Sequence, residues 1–246
     1  MINVGNNLEK QEKKWEMSEI GEKILEESVN FKSEKINELN SELAETGTDF
    51  IENALEQAKE KMKPQDFKNF NKALEKHGVA DLACGNPGAT GFRRILTYLF
   101  KDNLESFNGD PEAKKKDVYD MEIAEPLKYI GVDKYANFNE EDTKELSQVQ
   151  FIKEDLIVFL KNFPDSNINI FLGGFDYDIS KTAEGNEDKY RAIMLAHIAK
   201  VLPEGGFFLA VNSVLSGKWN GQEINPENLG LKKVEFNGIG TYMYTK

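Results

Sequence analysis

The chain has 246 residues, of which 31 are lysine or arginine and 43 are aspartate or glutamate, so its formal net charge is −12. This length is enough for a large domain with its own core, and the acidic balance disfavours a protein that neutralises many nucleic-acid phosphates. The single cysteine, Cys84, excludes a disulfide framework and a zinc site built from several cysteines. No stretch approaches the ~18 consecutive apolar residues of a membrane span, and the N-terminus lacks the apolar region of a signal peptide, so we expect a cytoplasmic protein without membrane contact.

Residues 1–77 have the composition of a helical extension. They hold only 3 of the 19 glycines and 1 of the 7 prolines, and they are rich in glutamate, lysine, leucine and alanine. Apolar residues such as Ile20, Ile24 and Leu25 recur at spacings of three and four, which predicts three or four amphipathic helices. Pro64 marks the end of one helix or the start of the next.

From residue 78 onward, short apolar runs alternate with longer helical segments. The predicted strands cover 79–83, 127–132, 149–152, 168–172 and 207–211, and the predicted helices cover 92–107, 156–163 and 188–202. Residues 230–236 and 240–244 predict a closing hairpin around Asn237-Gly238. The alternation predicts a mostly parallel sheet with helices on both faces and an antiparallel pair at its end.

Acidic and small residues follow the predicted strands. A turn of small residues runs from Cys84 to Gly91 after the first strand, Asp133 follows the second, and Asp155 follows the third. In an open parallel sheet, ligands bind beyond the carboxyl ends of the strands. Taken singly, each feature is as easily a turn or a helix cap as a binding residue; the order of these features along the chain is the stronger signal.

That order resembles class I S-adenosylmethionine-dependent methyltransferases. Asp81-Leu82-Ala83-Cys84-Gly85 is similar to the first motif of the family, an acidic residue before a glycine-rich turn. Tyr129-Ile130-Gly131-Val132-Asp133 resembles the second strand and its ribose-binding acid, and Phe151-Ile152-Lys153-Glu154-Asp155-Leu156 resembles the third, whose aspartate binds the adenine amine. Residues 196–209 look like the late helix, Pro-Gly-Gly turn and fifth strand.

The resemblance implies a Rossmann-like methyltransferase fold over residues 78–246, with a seven-stranded, mostly parallel sheet and an antiparallel C-terminal hairpin. It implies S-adenosylmethionine as the cofactor and no metal. The implied cofactor-binding residues lie after four strands: Asp81, Ala83, Gly85, Asn86 and Gly88, then Asp133 and Lys134, then Asp155 and Leu156, and finally Gly174.

The sequence departs from the family pattern in two places. Pro87 stands where the third glycine of the first motif is expected, with Gly88 one place later. Residues 103–126 look like an insertion, which we interpret as a surface loop.

The sequence does not identify the catalytic residues. Asp176 and Tyr177 follow the fourth strand, near the place where the family's substrate meets the methyl group, but a turn role is about as well supported for Asp176. His197 falls in the middle of a predicted helix, which favours a side chain on the helix surface or a packed one over a general base. Cys84 is better interpreted as a small packing residue than as a nucleophile.

The leading hypothesis is a methyltransferase that acts on a small molecule or a protein group by in-line methyl transfer. The alternative is a non-catalytic protein of the same fold that serves as a binding or scaffold module. A nicotinamide-binding domain fits less well, because Gly85-x-x-Gly88-x-x-Gly91 is not the required Gly-x-Gly-x-x-Gly. The helical extension has two interpretations. It is either a lid that contributes Trp15, Phe31 or Phe50 to the substrate site, or an element that packs on the sheet or mediates self-association. The sequence does not determine the oligomeric state.

Overall fold

The computed structural model describes residues 15–31, 61–84, 129–134, 149–163, 168–173, 179, 183, 185–211, 215–235 and 241–246. In this part of the chain the helices are α1 (Glu19–Glu27), α2 (Pro64–His77), α3 (Leu156–Lys161) and α4 (Glu187–Val201). The strands are β1 (Val79–Leu82), β2 (Tyr129–Val132), β3 (Val149–Ile152), β4 (Ile170–Gly173), β5 (Phe207–Val211), β6 (Gly217–Trp219), β7 (Gln222–Ile224), β8 (Lys232–Val234) and β9 (Thr241–Thr245). None of these helices has the length and apolar character that a membrane crossing requires.

Seven strands form one sheet in the order β3-β2-β1-β4-β5-β9-β8. The first five in this order pair in parallel, and β9 pairs antiparallel with both β5 and β8. The chain therefore starts in the middle of the sheet, builds one half, crosses back to build the other, and closes with an antiparallel pair. This confirms the predicted mostly parallel sheet and its C-terminal hairpin.

The parallel strands end level with one another. Leu82 on β1 pairs with Val132 on β2, and Val132 pairs with Ile152 on β3. On the other side, Leu82 pairs with Gly173 on β4. Because the register has no offset, the residues that follow these strands emerge at the same edge of the sheet.

Side chains alternate between the two faces of the sheet, as the pleat requires. Ala80, Leu82, Ile130 and Val132 point to the face that carries α3 and α4, and they belong to the main hydrophobic cluster. Their neighbours in sequence point to the opposite face, where Phe70 of α2 packs edge-on against Phe207 of β5, with 5.4 Å between ring centroids. Strands β1 and β2 in the middle of the sheet are buried on both faces, as expected for parallel strands that are covered on two sides.

The described part of the N-terminal extension packs against the sheet domain. Ser18 caps α1 by accepting a hydrogen bond from the Gly21 amide, and Ile24 and Leu25 bury the apolar side of the helix in the main cluster. The Trp15 indole donates to the Gly230 carbonyl at 2.9 Å, and Lys161 of α3 donates to the Ser28 carbonyl at 2.9 Å. Contacts of this kind tie the extension to the domain, so both readings of it, as a lid or as a packing element, remain compatible with them.

Most predicted boundaries shift by only a few residues. The strands 149–152 and 207–211 are confirmed to the residue, and Pro64 is the first residue of α2. The predicted helix 92–107, the insertion 103–126 and the turn Asn237-Gly238 lie outside the described residues.

One hairpin was missed. Strands β6 and β7 pair antiparallel across Asn220-Gly221, which have φ angles of 50° and 82°. These angles fit a type I′ turn, for which Asn-Gly is the strongest sequence signal. The signal was present, but the strands on either side are three residues each, too short to show an alternating pattern.

Candidate functional site

The loops that follow β1, β2 and β3 are tied together at the carboxyl edge of the sheet. The amides of Ala83 and Cys84 both donate to the Val132 carbonyl, at 2.7 and 3.3 Å. The Asp133 amide donates to the Ile152 carbonyl at 3.1 Å. The three strand ends therefore form one continuous rim that carries the predicted acids.

Ala83 has an unusual backbone conformation for a residue with a side chain. Its φ is 59°, in the left-handed region that favours glycine. In the described part of the chain the turn after β1 thus begins with an alanine in a conformation that glycine adopts more readily. The left-handed residue ends β1 one residue earlier than predicted and turns the chain toward β2.

Substituting glycine for Ala83 is expected to raise the free energy of unfolding by up to ~1 kcal/mol, because relief of the left-handed strain outweighs the extra entropy of the unfolded chain. The matched control is Ala80→Gly, three residues earlier in the buried strand β1, which is expected to lose ~1 kcal/mol or more. Urea unfolding of both variants checks the prediction. If Ala83→Gly were destabilised as much as Ala80→Gly, the left-handed turn would be wrong.

Cys84 packs under this turn. It is 5% exposed, and a Cβ added to Gly131 of β2 would lie 2.8 Å from its Sγ and 2.7 Å from the Phe151 ring. Only glycine at position 131 leaves room for the thiol and the ring together. This geometry supports the interpretation of Cys84 as a packing residue.

Asp81 is buried beneath the rim. Its side chain is 3% exposed, and the Tyr129 hydroxyl donates to its Oδ2 at 2.7 Å. The pKa of the Asp81 carboxyl is raised from 3.8 to about 7, mainly by burial. This net value includes two smaller effects: the Tyr129 hydrogen bond lowers the pKa, and the charge of Asp133 raises it. Burial and the neighbouring Asp81 also raise the pKa of Tyr129 well above its usual value, so the tyrosine stays a hydrogen-bond donor.

Asp133 directly follows the last residue of β2 and is also buried, with 4% of its surface exposed. Its effect on the pKa of Asp81 shows that the two carboxyl groups are close enough to interact. The ends of β1 and β2 therefore bring two acids together that are 52 residues apart in sequence. One of them takes up its proton near neutral pH, which limits the negative charge the rim must carry without a ligand.

Asp155 combines a structural role with a position on the rim. Its Oδ1 accepts hydrogen bonds from the Ile157 and Val158 amides, at 3.0 and 3.2 Å, and so caps α3. Its Oδ2 accepts from the Tyr190 hydroxyl of α4 at 3.2 Å and lies 3.8 Å from the Lys134 ammonium. Capping alone does not occupy the whole carboxylate, because an ionised carboxylate offers about four acceptor positions.

The structure thus places five predicted binding residues, Asp81, Ala83, Asp133, Lys134 and Asp155, at one edge, and Leu156 directly follows as the first residue of α3. The remaining candidates lie outside the described residues: Gly85, Asn86, Gly88, Gly174, Asp176 and Tyr177. Whether any of these residues binds a cofactor stays a prediction.

His197 is a packed residue of α4, so of the two placements that the sequence favoured, on the helix surface or packed, the structure shows the packed one. It is 6% exposed, and its Nε2 has no hydrogen-bond partner in the structure as described. Burial, together with the charges of Lys161 and Lys200, lowers the pKa of His197 to about 4. The ring is therefore neutral at pH 7.

Sequence reasoning missed Tyr190. Nine of the fifteen residues of α4 are buried, so its tyrosine looked like one more core residue. A usable signal existed, since a buried tyrosine hydroxyl requires a hydrogen-bond partner. Which partner it finds, 35 residues away, depends on how α4 packs on α3.

The sheet defines a class of protein. The order β3-β2-β1-β4-β5, extended by the antiparallel strand β9 and the edge strand β8, is a Rossmann-like α/β arrangement with its candidate site at the carboxyl edge. This is the methyltransferase fold that the strand-end motifs predicted.

Comparisons with known proteins find this likeness in structure. No protein-family model matches the chain, and no curated protein matches it either. Among solved structures, an S-adenosyl-L-methionine methyl transferase from Silicibacter pomeroyi DSS-3 is 13% identical, with 84% of this chain and 92% of that chain covered at a TM-score of 0.41. The N-methyltransferase NodS from Bradyrhizobium japonicum WM9 is 9% identical, with 83% and 99% covered at a TM-score of 0.42.

Proposed function

We propose that this protein is an S-adenosylmethionine-dependent methyltransferase that acts on a small molecule or a protein group. The observation that carries the proposal is the rim itself. Three neighbouring parallel strands end in register; Asp81 lies within the first, beneath the rim, and Asp133 and Asp155 follow the second and third, in the order that the resemblance predicts.

Each part of the rim has a role that suits its chemistry. Asp133 offers carboxylate oxygens to the two ribose hydroxyls, and Asp155 offers its remaining acceptor position to the adenine amine. The left-handed turn at Ala83 lets a ligand approach the backbone closely. Several acids at one edge also favour a ligand that carries a positive charge.

When bound, the cofactor supplies an electrophilic methyl group on its sulfonium. The residues of the rim hold the adenosine end, which fixes where that methyl group can lie. Methyl transfer by in-line displacement depends mainly on orientation, and well-aligned reactants can gain ~7–11 kcal/mol from it. A general base is required only if the accepting atom must lose a proton. The alternative of a non-catalytic module gains no support from the described residues.

The test is calorimetric titration with S-adenosylmethionine and S-adenosylhomocysteine. Wild-type protein is expected to bind both. Asp133→Asn is expected to lose about ten-fold in affinity, ~1–2 kcal/mol, because the amide cannot replace the charge-assisted bonds to both hydroxyls. The control is Glu204→Gln, an exposed acid in the turn before β5, at the opposite edge of the sheet, which is expected to bind like the wild type.

A folded wild-type protein that binds neither compound at millimolar concentration would overturn the proposal. Equal losses in Asp133→Asn and Glu204→Gln would show that general charge, rather than the rim, attracts the ligand.

A further inference from the structure

The carboxylate of Asp155 is held on three sides by the protein. Two amides of α3 occupy Oδ1, and the Tyr190 hydroxyl occupies one position on Oδ2. No other described residue donates a hydrogen bond to this carboxylate, which leaves one of its four acceptor positions open as far as the described residues reach. The open position is on Oδ2, the oxygen that Tyr190 holds.

The position of Lys134 indicates the direction in which the open acceptor position on Oδ2 points. The ammonium of Lys134 lies 3.8 Å from Oδ2, beyond hydrogen-bonding distance, and Lys134 directly follows Asp133 at the end of β2. Oδ2 therefore faces the gap between the ends of β2 and β3. A ligand that binds Asp133 with its sugar would place its base in that gap.

The Tyr190 hydroxyl is itself fixed in place. Tyr190 is 1% exposed, and Phe31 packs edge-on against its ring with 6.2 Å between centroids. The Lys189 ammonium lies over the Phe31 ring, 5.7 Å from its centroid. The segment after α1 therefore reaches within two side chains of Asp155.

We propose that Tyr190 is a positioning residue that makes this site selective for a 6-aminopurine over a 6-oxopurine. The proposal rests on the proposed function, since it assumes that the base of an adenosine ligand meets Asp155. Because the helix amides bind Oδ1 and Tyr190 binds Oδ2, the carboxylate cannot rotate about its Cβ–Cγ bond. Its open acceptor position then meets a donor amine in good geometry, whereas a purine carbonyl at the same place would face carboxylate oxygen.

The experiment compares S-adenosylhomocysteine with its 6-oxo analogue, S-inosylhomocysteine, by calorimetry. Wild-type protein is expected to prefer the amino compound by about ten-fold or more, as a hydrogen bond to a charged group allows. Tyr190→Phe keeps the ring against Phe31 but removes the hydroxyl, and is expected to lower this preference by about three- to ten-fold. The ratio of two affinities measured on one folded sample does not change when a variant is merely less stable.

The matched control is Phe31→Leu. It weakens the packing behind Tyr190 and lowers thermal stability, but it leaves the hydroxyl, so the preference is expected to stay within two-fold of the wild type. If Tyr190→Phe kept the full preference, Tyr190 would have no positioning role, although the proposed function would stand. If the wild type bound both compounds equally, Asp155 would not contact the amine and the inference would fail while cofactor binding survived. If folded wild type bound neither compound, the inference would fall together with the proposed function.

Discussion

Replacing Asp81 by asparagine is expected to lower this protein's stability at pH 5.5 relative to its stability at pH 8. In the folded protein the pKa of Asp81 is about 7, above its ordinary value of 3.8, so the folded state binds a proton that the unfolded state has released. A raised pKa of this kind stabilises the fold fully below the unfolded value, and the stabilisation is lost as the pH rises through about 7. The complete effect is ~4 kcal/mol, and ~2 kcal/mol of it falls between pH 5.5 and pH 8.

Urea unfolding at these two pH values measures the effect. Asp81→Asn removes the titrating group and keeps an oxygen for the Tyr129 hydroxyl, so its stability at pH 5.5 relative to pH 8 is expected to be ~2 kcal/mol lower than that of the wild type. A second variant, Tyr129→Phe, removes a hydrogen bond that lowers the pKa of Asp81. In this variant the loss of stability is expected to move to higher pH. An unchanged pH dependence in Asp81→Asn would mean that the carboxyl is not buried as described.

Replacing His197 by leucine is expected to have the opposite effect. The pKa of His197 is about 4 when folded, below its ordinary value of 6.5, because burial disfavours the charged ring. The unfolded state then binds the extra proton, so stability is complete above pH 6.5 and is lost as the pH falls toward 4. The full loss is ~3 kcal/mol, and about half of it falls between pH 8 and pH 5.5.

The same unfolding measurements check the leucine variant, whose stability is expected to rise on acidification to pH 5.5. In the wild type, Asp81 and His197 change the free energy of unfolding in opposite directions between pH 8 and pH 5.5, and the two changes nearly cancel. Removing either group therefore reveals the pH dependence that the other one causes. The chain has two histidines, so proton NMR can also follow the ring of His197 directly, with His197→Leu assigning its signal. A titration of that signal near pH 6.5 in the folded protein would contradict the prediction.

The sequence was sufficient for the order of elements at the site. An uninterrupted apolar run such as residues 207–211 marked a strand whose described side chains are buried on both faces, and the predicted bounds 149–152 and 207–211 were both correct. Because helical segments separate the strands, the sheet had to be mostly parallel, and a parallel sheet places the residues after its strands at one edge. The shared position of Asp133 and Asp155 therefore followed from the sequence.

The sequence was not sufficient for what each acid does. Asp81, Asp133 and Asp155 looked alike as acids near strand ends. In the structure Asp81 lies within β1 and accepts a hydrogen bond from the hydroxyl of Tyr129, 48 residues away in sequence. Asp155 instead caps a helix and accepts a hydrogen bond from the hydroxyl of Tyr190, 35 residues away. These partners belong to elements brought close only by the packing of the sheet and α4, so no local pattern announces them.

A net charge of −12 is a property of the chain as written, as are the strand order and the edge to which the acids belong. Which carboxyl keeps a proton at neutral pH, and which keeps an acceptor position for a ligand, was decided by the tertiary structure. The reason is physical: secondary structure arises from neighbours along the chain, whereas the state of a buried polar group depends on its solvation and on hydrogen-bond partners from distant segments.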